Sequence, residues 1–128
     1  DPSLLSGARN ILEKVGLLQQ SEKLAAEISH GERRLLELAL AIATNPQLLL
    51  LDEPLAGAGA EESLHITSII REFKSQHATL LIEHDLDAVF KLADRITVLV
   101  EGKTIASGTP DEISNNSVVR NAYLGDGD

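Results

Sequence analysis

Leu48-Leu49-Leu50-Leu51-Asp52-Glu53-Pro54 is the stretch on which the reading of this chain turns. From Gln47 to Leu51 the apolar run is continuous, which suits a strand buried on both faces of a parallel sheet. Pro54 has no N–H to offer a ladder and ends the run. Gly57 and Gly59 mark the loop beyond it. In open α/β sheets the carboxy ends of the strands line the crevice where ligands bind. Asp52 at such an end is suited to holding Mg²⁺ through water, and Glu53 to polarising a water for phosphoryl transfer. The plainer reading is a buried strand followed by a solvated acidic turn.

Working outward, the neighbouring segments alternate in type. Ser3 to Val15 has helical spacing, with Leu4, Leu5, Ala8, Ile11, Leu12 and Val15 sharing a face and Gly16 ending it. Ser29 and Glu32 form the S-x-x-E pattern of a capping box and open a second helix, whose face is Leu35, Leu38, Ala39 and Ile42. Asn45-Pro46 stops it. After the central strand a helix is predicted over 60–76, with Ile66, Ile69, Ile70 and Phe73 inward. A second buried strand follows from Thr79 to Glu83. Asp85 caps a helix carrying Leu86, Val89, Phe90 and Ala93, and Ile96 to Val100 is a third strand. Glu101-Gly102-Lys103 turns tightly into Thr104–Ala106, and Thr109-Pro110-Asp111-Glu112 opens a short helix with a second capping box. The Gly125–Asp128 tail reads as frayed. Strand, helix, strand, helix, strand is α/β order.

Bulk properties narrow the function classes. The 128 residues suffice for one domain or part of one. Aromatic residues are only Phe73, Phe90 and Tyr123, so the core is aliphatic. A net charge of −9 argues against nucleic acid or an anionic membrane as a direct ligand. It does not exclude a nucleotide, because a local cluster of N–H donors outweighs a distant negative field. With no cysteine there is no disulfide framework and no thiolate site. The apolar stretches are too short to span a bilayer, and no secretory signal is expected. With no methionine and a start at Asp1-Pro2, the chain is expected to be cut from a longer one.

Two further clusters carry chemistry. Ile28-Ser29-His30-Gly31-Glu32-Arg33 places a hydroxyl and N–H groups at a helix start, where the dipole favours an anion. Taken alone it is an ordinary capping box. Leu81-Ile82-Glu83-His84-Asp85 ends a strand in polar residues, and His84 is suited to donate to a terminal phosphate. The remaining histidines, His30, His65 and His77, show no ligand spacing, so no zinc site is read.

In this order and context the clusters resemble the nucleotide-binding domain of ABC transporters, over essentially the whole chain. Ser29-His30-Gly31-Glu32 resembles the signature, Leu48–Glu53 the Walker B strand, Ala56–Ala60 the D-loop and His84 the switch histidine. Ser29-His30-Gly31-Glu32-Arg33-Arg34, Ala56-Gly57-Ala58-Gly59 and Arg120–Gly125 look like ATPases of branched-chain amino acid importers, with those of lipopolysaccharide export similar in the tail. The resemblance implies a P-loop NTPase (RecA-like) α/β core, a parallel sheet with flanking helices, made incomplete by a missing Walker A strand and loop. It implies that residues 1–30 end the helical signature subdomain and that 31–128 continue the ATPase core into a short helical tail.

The resemblance also implies roles. The cofactors are ATP and Mg²⁺. Glu53 is the catalytic base and His84 holds the γ-phosphate and water. Asp52 supports Mg²⁺, Ser29, His30, Gly31 and Glu32 face the ATP of a partner subunit, and Gly57 and Gly59 belong to the D-loop. Partners are a second ABC ATPase subunit, identical or not, and transmembrane permease subunits. The protein would sit peripherally on the cytoplasmic face of the inner membrane, with no nucleic acid bound and no direct insertion.

Departures from the pattern matter. No G-x-x-x-x-G-K-[ST] occurs, so the loop cradling the β- and γ-phosphates is missing, as are the upstream Q-loop glutamine and adenine-stacking aromatic. Ala58 and Ala60 stand where relatives often carry a larger residue and proline. The Walker A strand belongs between the strands ending at Glu83 and Val100, so its loss is expected to leave ladder groups unpaired. The isolated chain is then expected to be unstable, to associate, or to close the gap by a non-native pairing. Three functions compete: the second half of an importer ATPase, a truncated module that only pairs, and a soluble ABC ATPase of DNA repair or translation. The acidic surface disfavours the last.

Overall fold

The computed structural model describes residues 1–124. The elements run α1 (Pro2–Lys14), a 3₁₀ turn (Leu18–Gln20), α2 (His30–Ala43), β1 (Leu48–Asp52), α3 (Ala60–Lys74) and β2 (Ala78–Ile82). They continue with α4 (Leu86–Leu92), β3 (Ile96–Val100), β4 (Lys103–Gly108), α5 (Pro110–Ser114), α6 (Ser117–Val119) and a π-helical turn (Arg120–Leu124). Two compact units result, residues 1–84 and 85–128. This is not the division after residue 30 drawn from the resemblance, which concerns subdomains rather than compactness. The expected frayed tail, 125–128, lies outside the described residues.

Local chemistry sets the helix starts. Asp1 accepts from the Ser3 N–H at 2.9 Å, and Pro2 occupies the first helical position of α1. Its expected apolar stripe is covered only toward the carboxy end. Leu4 and Leu5 are exposed, Ile11 and Leu12 are half-buried, and Val15 just past the helix is buried. Leu38 and Ala39 are buried in α2, and Ile66, Ile69, Ile70 and Phe73 in α3, as the spacing predicted. His65 Nε2 lies 2.9 Å from the Val15 carbonyl, which ties α3 to the end of α1. His77 stacks on Phe73 with ring centroids 4.3 Å apart.

In the first unit β1 and β2 pair in parallel, Leu49 opposite Thr79 and Asp52 opposite Ile82, joined by the α3 crossover. Each strand begins and ends about one residue from its predicted bounds. The expectation of two buried faces does not hold. Leu49 is buried and Leu51, Thr79 and Leu81 are half-buried, whereas Leu48, Leu50, Leu80 and Ile82 are exposed. The run is apolar on both sides, but in this chain only one side of the two-stranded sheet is covered.

The second unit is a hairpin with short helices. β3 and β4 pair antiparallel through a two-residue turn in which Glu101 (φ 50°) and Gly102 (φ 75°) are both left-handed. That is the type I′ requirement and matches strand twist. Val98, Ile113 and Val119 form its core with Phe90, Ile96, Ile105 and Ala106 against them. The predicted cap of α4 is present, Asp85 accepting from the Ala88 N–H at 3.1 Å. Thr109 caps α5 by accepting from the Glu112 N–H at 3.3 Å. The Glu112 carboxylate lies over Gly108. Among the described residues β2 and β3 belong to separate two-stranded sheets.

Candidate functional site

The parallel pair ends in a knot of polar side chains. At the carboxy end of β1 the Glu53 N–H donates to the Ile82 carbonyl at 2.8 Å, extending the ladder by one step. Glu53 itself is left-handed (φ 47°), a conformation uncommon for a residue other than glycine. Of the other two non-glycine residues in that region, Glu101 sits in the hairpin turn and Asn45 is of a type that tolerates it. Glu53 has neither reason, and strain of this kind concentrates at functional sites.

Glu83 ties the two post-strand loops together. One of its oxygens accepts from the Leu55 N–H at 2.9 Å and the other from the His84 N–H at 3.2 Å. This holds the two loops so that His84 Nδ1 stands 3.2 Å from Glu53 Oε1. Both side chains are largely in water, 72% and 49% exposed. A surface pair of that kind adds at most about 1 kcal/mol. Its interest is therefore chemical: an acceptor and a ring nitrogen meet at the ends of adjacent strands.

Asp52 is the last residue of β1 and is exposed. Among the described residues no three His, Cys, Asp or Glu side chains converge as a metal cage. One carboxylate at a strand end fits Mg²⁺ nonetheless, because that ion takes one or two carboxylates and completes its shell with water and substrate phosphates. Beyond Pro54 the chain turns through Ala56 N–H to Glu53 O and Ala58 N–H to Leu55 O, at 3.1 and 3.0 Å. Gly57 there is left-handed (φ 72°), and Gly59 is the N-cap of α3 with no side chain to cap with.

At the start of α2 the capping box forms as predicted. Glu32 accepts from the Ser29 N–H at 2.7 Å, and Ser29 Oγ accepts from the Glu32 N–H at 3.2 Å. The N–H bond from Ser29, followed by its hydroxyl, pulls the Glu32 carboxyl below the ordinary glutamate range. His30 and Gly31, at the first two helical positions, have no carbonyl four residues back within the helix. Their N–H groups and the dipole are suited to an anion.

The structure thus gathers Asp52, Glu53 and His84 at the strand ends, with Gly57 and Gly59 in the loop that follows, and Ser29, His30, Gly31 and Glu32 on one helix start. Sequence reasoning gave no role to Glu83. Its signal was the register: with Asp52 opposite Ile82, a strand-end carboxylate falls beside the loop after Glu53. Nor did it give one to Arg34 and Glu62, which meet at 3.2 Å. A separate surface cavity of about 350 Å³, with Ile11, Lys14, Phe73 and His77 in its walls, includes none of these groups.

Comparison with known proteins follows the same lines. A family model described as "ABC transporter" matches residues 5–56. One described as "Branched-chain amino acid ATP-binding cassette transporter" matches 103–128. The high-affinity branched-chain amino acid transport ATP-binding protein LivG of Salmonella typhimurium is 42% identical over 124 residues, 95% of this chain and 49% of that protein. The lipopolysaccharide export system ATP-binding protein LptB of Haemophilus influenzae is 33% identical over 93% of this chain and 50% of its own length. A solved structure of MJ1267 in its ADP conformation, an ATP-binding cassette of an ABC transporter, superposes with a TM-score of 0.81 at 28% identity. It covers 98% of this chain and 52% of that one. The chain spans about half the length of the curated relatives it matches.

Proposed function

The chain is homologous to the ATP-binding cassettes of ABC transporters, and from that premise we propose that it forms the carboxy-terminal part of an ATP-hydrolysing importer subunit. The solutes are branched-chain amino acids or similar small molecules. Higher identity to LivG than to LptB favours import of this kind over lipopolysaccharide export. The observation that carries the reading is the approach of Glu53 and His84 at the ends of two paired parallel strands. Residues 1–30 then belong to the helical subdomain and 31–128 to the ATPase core. The partners are a second ATPase subunit and membrane permeases, and the protein lies on the cytoplasmic face of the membrane. Among the described residues no helix is long and apolar enough to cross one.

On this reading the residues divide the work. Glu53 accepts the proton of a water whose oxygen bonds to the γ-phosphorus, while the bond from phosphorus to the bridging oxygen breaks and ADP leaves with that electron pair. His84, whose ring stands beside the Glu53 carboxylate, holds the γ-phosphate and the attacking water. Mg²⁺ bound with ATP supplies positive charge against the phosphates, and Asp52 would hold it. Ser29 and Gly31 offer a hydroxyl and an N–H to the γ-phosphate carried by the facing subunit. The phosphate-binding loop must come from sequence outside these residues.

The test is ATP turnover by the product of the entire reading frame. Glu53→Gln keeps the shape but removes the proton acceptor, so turnover is expected to fall by about 10²–10⁴-fold with nucleotide binding retained. Near-normal turnover would remove Glu53 from the mechanism. A reading frame that begins just before Asp1, with no G-x-x-x-x-G-K-[ST], would make a non-catalytic pairing module the better account.

A further inference from the structure

We propose that Arg34 and Glu62 are a positioning pair that locks the anion-binding turn of α2 to the loop after β1, so that both face a partner's nucleotide as one rigid edge. This rests on the ATPase reading above and goes beyond it, because that reading gives neither residue a role.

Three contacts place the pair. Arg34 lies three residues after Gly31, hence on the same side of α2. Its Nη1 donates to Glu62 Oε1 at 3.2 Å, and both side chains are only 26% exposed. The Glu62 carboxylate in turn lies against Gly31: a Cβ there would meet its atoms at 3.2 to 3.4 Å. On the other side Arg34 Nη2 comes within 3.8 Å of where a Cβ of Gly57 would stand. One guanidinium therefore stands beside the D-loop glycine and holds the first turn of α3, while its carboxylate partner packs on the glycine of the α2 turn. Gly31 is bare where the carboxylate needs the space, whereas Gly57 is a glycine for its left-handed backbone (φ 72°) and a side chain there would meet Arg34 at ordinary contact distance.

The charge arrangement gives the pair a purpose beyond packing. A carboxylate beside Gly31 opposes any phosphate approaching the N–H groups of His30 and Gly31. Arg34 offsets that charge and holds the carboxylate against α2. Removing Arg34 alone leaves Glu62 half-buried, uncompensated and next to Gly31. Removing both takes away the repulsion along with the lock. The two residues should therefore act as a coupled unit, and their loss should appear in nucleotide-dependent pairing more than in the chemical step.

The experiment uses the full-length protein carrying Glu53→Gln, which halts turnover, and reads by sedimentation the ATP concentration that gives half-maximal dimer. Arg34→Ala is expected to raise that concentration about tenfold, within the usual range for coupled sites. The Arg34→Ala/Glu62→Ala double variant should do no worse than Glu62→Ala, and the swapped Arg34→Glu/Glu62→Arg should recover part of the loss. With Glu53 intact, Arg34→Ala should raise KM for ATP more than it lowers kcat. Additive effects of the two alanine variants, or a fall in kcat alone, would overturn the pair as a positioning device. A parent that shows no ATP-dependent dimer would instead overturn the ATPase reading, and the pair's role with it.

Discussion

The two small sheets of this protein are built to opposite rules. In the parallel pair β1–β2, Leu48, Leu50, Leu80 and Ile82 face solvent while Leu49 is buried on the other side. In the antiparallel pair β3–β4 the outer face carries Thr97 and Ser107, whose hydroxyls meet at 3.0 Å, beside Leu99. Its inner face holds the core of the second unit. Antiparallel hairpins tolerate water on one side, whereas parallel strands occur almost only with both faces covered. The sheet that carries Glu53 and His84 at its ends is thus the one with an apolar face in the open. Chemistry and incompleteness fall on the same two strands.

The largest stability effect should come from the covered side of that first unit. Ile66 in α3 is fully buried, and truncation leaves a cavity in addition to the lost transfer energy. Ile66→Ala is expected to cost about 2–5 kcal/mol. Leu64, two residues away and 65% exposed, should change stability by no more than about 0.5 kcal/mol when cut to alanine. Urea unfolding of the two variants checks the contrast. Equal losses would mean that the exposed and covered sides of α3 are not distinct.

That contrast was legible in the spacing, since Ile66, Ile69, Ile70 and Phe73 already shared a helical face. So were the strands, the Ser29–Glu32 box, the Asp85 cap and the hairpin turn, because each is written in contiguous residues. The helical turns over 117–124 were too short for any period to show, and only the resemblance implied a short helical tail there. What the pattern could not reveal was which side of an all-apolar strand would be covered, since a Leu run is the same on both. Nor could it reveal Leu55 with Glu83 or Arg34 with Glu62, each 28 residues apart in sequence. Long-range polar contacts leave no periodic trace. The approach of His84 to Glu53 needed both the strand-end position of each and the parallel register that sets them side by side.

A smaller effect is expected at the start of α2, where the site borrows a feature that also stabilises the helix. Ser29→Ala removes one half of the capping box and should cost about 1 kcal/mol near neutral pH. The Glu32 carboxyl is held below its ordinary range by the bonds from Ser29, so its folded value lies under its unfolded one. Its stabilisation is then complete above the usual glutamate range and is lost as pH falls through the lower, folded value. Urea midpoints measured from neutral pH downward should show this acid loss in the parent and a shallower one in Glu32→Gln. An unchanged acid slope would remove the box as its source.

The smallest stability effect should come from the open face, and there it is the association that decides. Leu50 is 65% exposed on β1 and Leu99 is 55% exposed on β3. A lysine at either position leaves its ammonium in water, so each substitution should alter stability by no more than about 0.5 kcal/mol. The surroundings differ. Leu50 stands among Leu48, Leu80 and Ile82, a contiguous apolar surface of the kind that drives association. Leu99 shares its face with Thr97 and Ser107. Leu50→Lys should therefore shift self-association of the 128-residue chain to higher concentration in sedimentation runs, and Leu99→Lys should leave it unchanged. If both act alike, the parallel sheet is no more in need of cover than the hairpin. If only Leu50→Lys acts, the open face beneath Glu53 and His84 is the surface through which this chain associates.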